Sequence, residues 1–114
     1  MKKVLISSSL IIGILASGFV SSTADAASQA YSSTGHSFSK AWEATGEGTN
    51  WVMTYGYNTT LINEDYTHTL HNTTSHTAIV KNANGNYSSD GSKGNWAKIE
   101  VTHSGSSIQY TINY

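Results

Sequence analysis

His68, His71, His76 and His103 are the side chains of this chain best suited to hold a metal ion, and zinc is the ion that imidazoles favour. If His68 and His71 lie on one strand, they point to opposite faces and do not converge. His68 and His76 come close in the strand pairing derived below, but two imidazoles without a third ligand make a poor zinc site. Serine, histidine and aspartate are all present, yet no Gly-x-Ser-x-Gly turn frames a nucleophile. Glu64 and Asp65 are adjacent, so on a strand they face apart, which rules them out as an acid/base pair across a glycosidic bond. The sequence therefore predicts no metal, no cofactor and no catalysis.

Recognition is the chemistry left. Trp51, Tyr66, His68, Lys93, Trp96 and Lys98 form the expected target-binding set. Tryptophan offers a large apolar surface with one N–H donor, which suits a wet interface with a sugar or lipid. Lys93 and Lys98 flank Trp96, and the Asn/Gly-rich segment before it offers backbone N–H groups that can cradle a pyrophosphate. Each aromatic also has a plainer reading. Trp96 can cover a sheet edge, and Trp51, Tyr55 and Tyr57 can pack in a core.

The elements that must position these residues read as strands. Trp51, Met53, Tyr55 and Tyr57 alternate with Val52, Thr54 and Gly56. Ile62 to Leu70 continues the alternation, with Tyr66, His68 and Leu70 on its more apolar face. A third strand runs from Ser75 to Lys81. A three-residue loop would pair Leu70 with His76, His68 with Ala78 and Tyr66 with Val80. Asn82 to Gly94 reads as a long loop. A Gly105-Ser106 turn would then close a hairpin pairing Val101 with Tyr110 and Ile99 with Ile112. The fold expected is all-β, a small antiparallel β-sandwich of about five to six strands over residues 48–114. Residues 27–47, rich in Ser, Ala, Thr and Gly, read as a flexible arm; one extra strand around Phe38 to Ala44 is the alternative.

Residues 1–26 read as a signal peptide. Met1-Lys2-Lys3 is a cationic start, an apolar run centres on Leu10 to Ala16, and Ala24-Asp25-Ala26 is a cleavage pattern. The run is short for a bilayer span and is interrupted by Ser7-Ser8-Ser9, so a secreted, extracellular product without membrane insertion is expected. The chain has no cysteine, which excludes disulfide staples and thiolate metal sites. Beyond Ala26 there are four lysines against six carboxylates and no arginine. A nucleic-acid partner needs a basic footprint that this chain lacks, and a lytic cationic peptide needs a basic amphipathic helix. If the protein harms cells, a defined receptor explains that better than electrostatic adsorption.

From Gly48 onward the order of motifs resembles the lactococcin 972 family of secreted bacteriocins. Gly48-Thr49-Asn50-Trp51 with Tyr55-Gly56 is similar to the family's opening. Asp65-Tyr66-Thr67-His68 is similar to its Tyr-x-His segment, and Ser75 to Val80 to its His-Ser-Ala-Thr-Val strand. Gly94-Asn95-Trp96-Ala97-Lys98 is similar to its Gly-x-Trp-Ala-Lys signature, and the chain closes on an aromatic strand, Tyr110 to Tyr114. Extra residues stand between Trp51 and Gly56, and residues 27–47 lie outside the match. The resemblance implies a β-sandwich and an antibacterial role that blocks wall or septum synthesis. Its implied partner is the lipid-linked cell-wall precursor lipid II or an envelope glycan of target bacteria, and a homodimer is compatible with it. The alternative is a non-toxic secreted carbohydrate-binding or adhesion module.

Overall fold

The computed structural model describes residues 27–114; the predicted signal peptide lies outside the described residues. Eight strands form two four-stranded antiparallel sheets packed as a sandwich. They are β1 (Ser28–Ser32), β2 (Trp42–Gly48), β3 (Trp51–Asn58), β4 (Glu64–His71), β5 (His76–Asn82), β6 (Gly85–Gly91), β7 (Ala97–Thr102) and β8 (Gln109–Asn113). One sheet has the order β1-β8-β5-β6 and the other β2-β3-β4-β7. The first is called sheet A and the second sheet B below.

The expected all-β antiparallel sandwich is the fold observed, with eight strands rather than five or six. The arm expected over 27–47 is corrected: it supplies β1 and all of β2 except its last residue, Gly48. Its polar composition does not prevent this, because an edge strand needs only backbone partners and a few inward side chains. Ala27 and Tyr114 exchange two backbone hydrogen bonds, 2.6 and 2.8 Å, that dock β1 along β8. Tyr31 then reaches across the sandwich and stacks on Tyr55, with ring centroids 5.1 Å apart. Gly46 on β2 leaves room for that ring, since a Cβ there would lie within 2.6 Å of Tyr31. The loop expected over Asn82 to Gly94 is also corrected. Its Gly85–Gly91 portion is β6, which borders sheet A with its side chains mostly exposed.

Both expected hairpins are corrected as well. β4 pairs with β3 and β7, and β5 pairs with β6 and β8, so the segment between β4 and β5 crosses from sheet B to sheet A. His68 and His76 are therefore in different sheets. The connection from β7 to β8 crosses in the same way. The apolar faces of β7 and β8 do meet, but across the core instead of side by side. Ile108, Tyr110 and Ile112 from the β8 segment join Trp51, Met53, Tyr55 and Val80 in one cluster, with Ile99 and Val101 packed against it. Sheets in a sandwich stand about 10 Å apart, so both arrangements bury the same side chains.

β4 turns its polar face inward, the reverse of the expected orientation. Asp65, Thr67, Thr69 and His71 are buried between the sheets. Their polar groups are largely partnered. Thr67 Oγ1 donates to the Ile79 carbonyl at 2.9 Å. Asp65 accepts from His103 Nδ1 at 2.7 Å and from Asn82 Nδ2 at 3.0 Å. Such pairing is what makes buried polar groups tolerable.

The topology gives the sandwich two ends. One carries the β2–β3 turn and the β4–β5 and β6–β7 loops. The other carries the β1–β2, β3–β4, β5–β6 and β7–β8 connections.

Candidate functional site: the outer face of sheet B

Strand alternation sends Tyr66, His68 and Leu70 of β4 to the outer face of sheet B. Register then sets the rows across it. Glu43, Gly56, Tyr66 and Glu100 form one row; Thr45, Thr54, His68 and Lys98 form the next; Glu47, Val52 and Leu70 form the third. Three residues expected from sequence to bind a target, Tyr66, His68 and Lys98, are thus neighbours on one face, although Tyr66 itself is only 6% exposed.

Hydrogen bonds hold this surface in place. Tyr66 donates its hydroxyl to Glu43 Oε2 at 2.6 Å, and its ring lies 5.1 Å from that of His68. His68 Nε2 stands 2.9 Å from Glu100 Oε2. Burial, followed by the Glu43 hydrogen bond and the charges of Glu43 and Glu100, raises the Tyr66 pKa, so its hydroxyl remains a donor throughout the physiological range. The His68–Glu100 contact is partly exposed and contributes about 0–1 kcal/mol. Its effect is to orient the imidazole; Lys98, exposed beside it, is the cation of the face.

At the end of the sheet near the β2–β3 turn the rows open into a hollow of about 220 Å³ lined by Gly48, Asn50, Trp51, Val52, Leu70 and Asn72. Its rim is fixed by backbone hydrogen bonds between loops. Asn72 N donates to the Asn50 carbonyl at 2.8 Å, and Gly94 N to the His71 carbonyl at 2.8 Å. Asn50 takes a left-handed φ of 68°, which asparagine tolerates better than most residues. Within the β4–β5 loop, Thr73 N donates to His71 Nδ1 at 3.2 Å. The hollow is therefore lined by two aliphatic residues, Val52 and Leu70, and two asparagines, Asn50 and Asn72, together with Gly48 and Trp51.

Trp96 and Lys93 come from the β6–β7 loop at this same end. Trp96 is 45% exposed, and extending the Thr69↔Ala97 register by one residue sets it opposite Leu70. Lys93 is exposed in the turn that Asn95 closes by donating its backbone N–H to the Ser92 carbonyl. Trp51 is placed differently. It is only 8% exposed, belongs to the core cluster and lies 6.0 Å from the Tyr114 ring, so it edges the hollow from within. Val52, Asn50, Leu70 and Asn72 were not singled out from sequence. Their signal is visible only once β2, β3 and β4 are set in register.

Among the described residues no three His, Asp or Glu side chains are grouped to hold a metal ion. Asp65 and His103 form a buried acid–imidazole pair at the opposite end, but Asn82 occupies the second carboxylate oxygen and Phe38 and Tyr57 pack on the ring. The pair lies within sheet B, between β4 and the residue after β7, and it is Asn82 of β5 that ties Asp65 to sheet A.

Fold and site define a class: a two-sheet antiparallel sandwich with an aromatic- and amide-bearing hollow at the end of one outer face. No protein-family model matches the chain, and no curated protein or solved structure matches it.

Proposed function

We propose that the protein is a secreted, non-enzymatic bacteriocin of the lactococcin 972 type, and that it binds a lipid-linked cell-wall precursor, lipid II, through the outer face of sheet B. The observation that carries this reading is the grouping of His68 and Lys98, over Tyr66, on the face that ends in the hollow, with exposed Trp96 one residue before β7. Aromatic surface stacks on sugar rings and amides bond their hydroxyls, and Lys93 and Lys98 are the cations open to phosphate on a face that also carries Glu43, Glu47 and Glu100. Motif order from Gly48 to Tyr114 supplies the antibacterial part.

The test is growth inhibition of Gram-positive strains by purified protein, with a direct pulldown on lipid II. Killing that added lipid II blunts is the expected result. Absence of precursor binding refutes the target. Binding on a glycan array without killing favours a non-toxic carbohydrate-binding module instead.

A further inference from the structure

The β3–β4 loop carries two bare aliphatic side chains in water. Leu61 is 93% exposed and Ile62 53% exposed. Thr60 N donates to Asn58 Oδ1 at 3.4 Å, a local turn at the start of the loop, and His103 N donates to the Asn63 carbonyl at 2.8 Å. The pair is thus presented on an anchored tip. Residues 59–63 carry no charge.

The rest of this end shares one electrostatic character. The other connections here, residues 33–41, 83–84 and 103–108, contain no Asp or Glu, and they carry Lys40, His36 and His103. Lys40 and His36 are exposed. Glu64 begins β4 behind the tip, and Asp65 is fully buried against His103 and Asn82. The loops of this end therefore present an exposed cation and no carboxylate, with exposed Glu43 and half-buried Glu64 standing behind them at the starts of β2 and β4.

We propose that this end docks shallowly on an anionic lipid bilayer, with Leu61 and Ile62 entering its interfacial layer. A protein partner needs a contiguous patch of roughly 800 Å². Here the only other exposed large apolar side chains among the described residues, Tyr87 and Trp96, lie on β6 and at the opposite end. Fluid hydrocarbon accepts two projecting side chains without a matching shape, and anionic headgroups complement Lys40. No helix among the described residues is long and apolar enough to cross a membrane, so the contact is peripheral.

The experiment is co-flotation of the purified protein with vesicles of phosphatidylglycerol and phosphatidylcholine, free of wall precursor. The wild type floats with the vesicles. Leu61→Ser combined with Ile62→Ser lowers the partition coefficient about tenfold or more, with an unchanged melting temperature because the tip is solvent-exposed. Lys40→Gln weakens binding roughly fivefold, and only on the anionic vesicles. Wild-type protein that stays in the aqueous fraction overturns the proposal. Equal flotation of the double serine variant overturns it too, and assigns the tip to another partner. Because the vesicles hold no precursor, this result is independent of the lipid II pulldown.

Discussion

Replacing Asp65 by alanine tests the polar clasp between the sheets. Asp65 sits on β4 of sheet B, is fully buried, and accepts from His103 Nδ1 at 2.7 Å and from Asn82 Nδ2 at 3.0 Å. Asn82 ends β5 of sheet A, and its amide also donates to the Thr102 carbonyl at 3.0 Å. Asp65→Ala leaves one N–H of Asn82 and the Nδ1 donor of His103 without an acceptor. A hydrogen bond to a charged group is worth about 1.5–3 kcal/mol, and breaking a buried pair costs about 3–5 kcal/mol. The His103 ring retains some solvent contact, so the lower end applies, about 3 kcal/mol. For a domain this small that lowers the melting temperature by about 12–24 °C. Thermal unfolding followed by near-ultraviolet circular dichroism measures it. Asp65→Asn, which preserves volume and one acceptor, loses less. A fall below about 4 °C for Asp65→Ala, or no coupling between Asp65→Ala and Asn82→Ala in a double-mutant cycle, would refute the clasp.

Three further outcomes follow from the geometry. Gly56→Ala drives a Cβ into the Trp42 carbonyl oxygen on β2, so urea denaturation should show a loss of about 1–3 kcal/mol or a failure to fold. Trp96→Ala should change stability by less than about 1 kcal/mol while weakening target binding tenfold or more in a direct binding assay, because Trp96 is 45% exposed at the end of sheet B that carries the hollow. Burial, then the neighbouring His76, lowers the His71 pKa below its ordinary 6.5. The folded state therefore resists a proton that the unfolded chain accepts. That stability is complete above pH 6.5 and is lost as the pH falls from there toward the lower folded value, a slope that His71→Gln should flatten in denaturation curves.

Alternation made the faces of β3, β5, β7 and β8 legible: Met53, Tyr55, Ala78, Val80, Ala97, Tyr110 and Ile112 all point inward as their period of two requires. The period cannot say which face of a strand is interior, and on β4 hydrophobicity chose wrongly. Thr67 and Asp65 are buried because Ile79, His103 and Asn82, all distant in sequence, satisfy them. A hairpin and a crossover between sheets share the same turn residues and the same flanking alternation, so β4–β5 and β7–β8 were indistinguishable locally. β6 was hidden by its composition, since Asn86, Ser88 and Asp90 pair with β5 through the backbone and, at Asp90, one hydrogen bond from Thr77, and have no apolar pattern. Tyr66, His68 and Lys98 could be named from sequence. The hollow could not, because it is made where β2, β3 and β4 are aligned by pairing.

The central claim is that the outer face of sheet B receives the target. An amide NMR titration of the purified protein with lipid II tests it most directly. Shifts concentrated at Val52, Thr54, His68, Leu70, Trp96 and Lys98, with Thr77, Ile79 and Thr111 on the outside of sheet A unmoved, are the predicted result. Shifts centred on sheet A, or a saturating titration that moves none of these amides, contradict it.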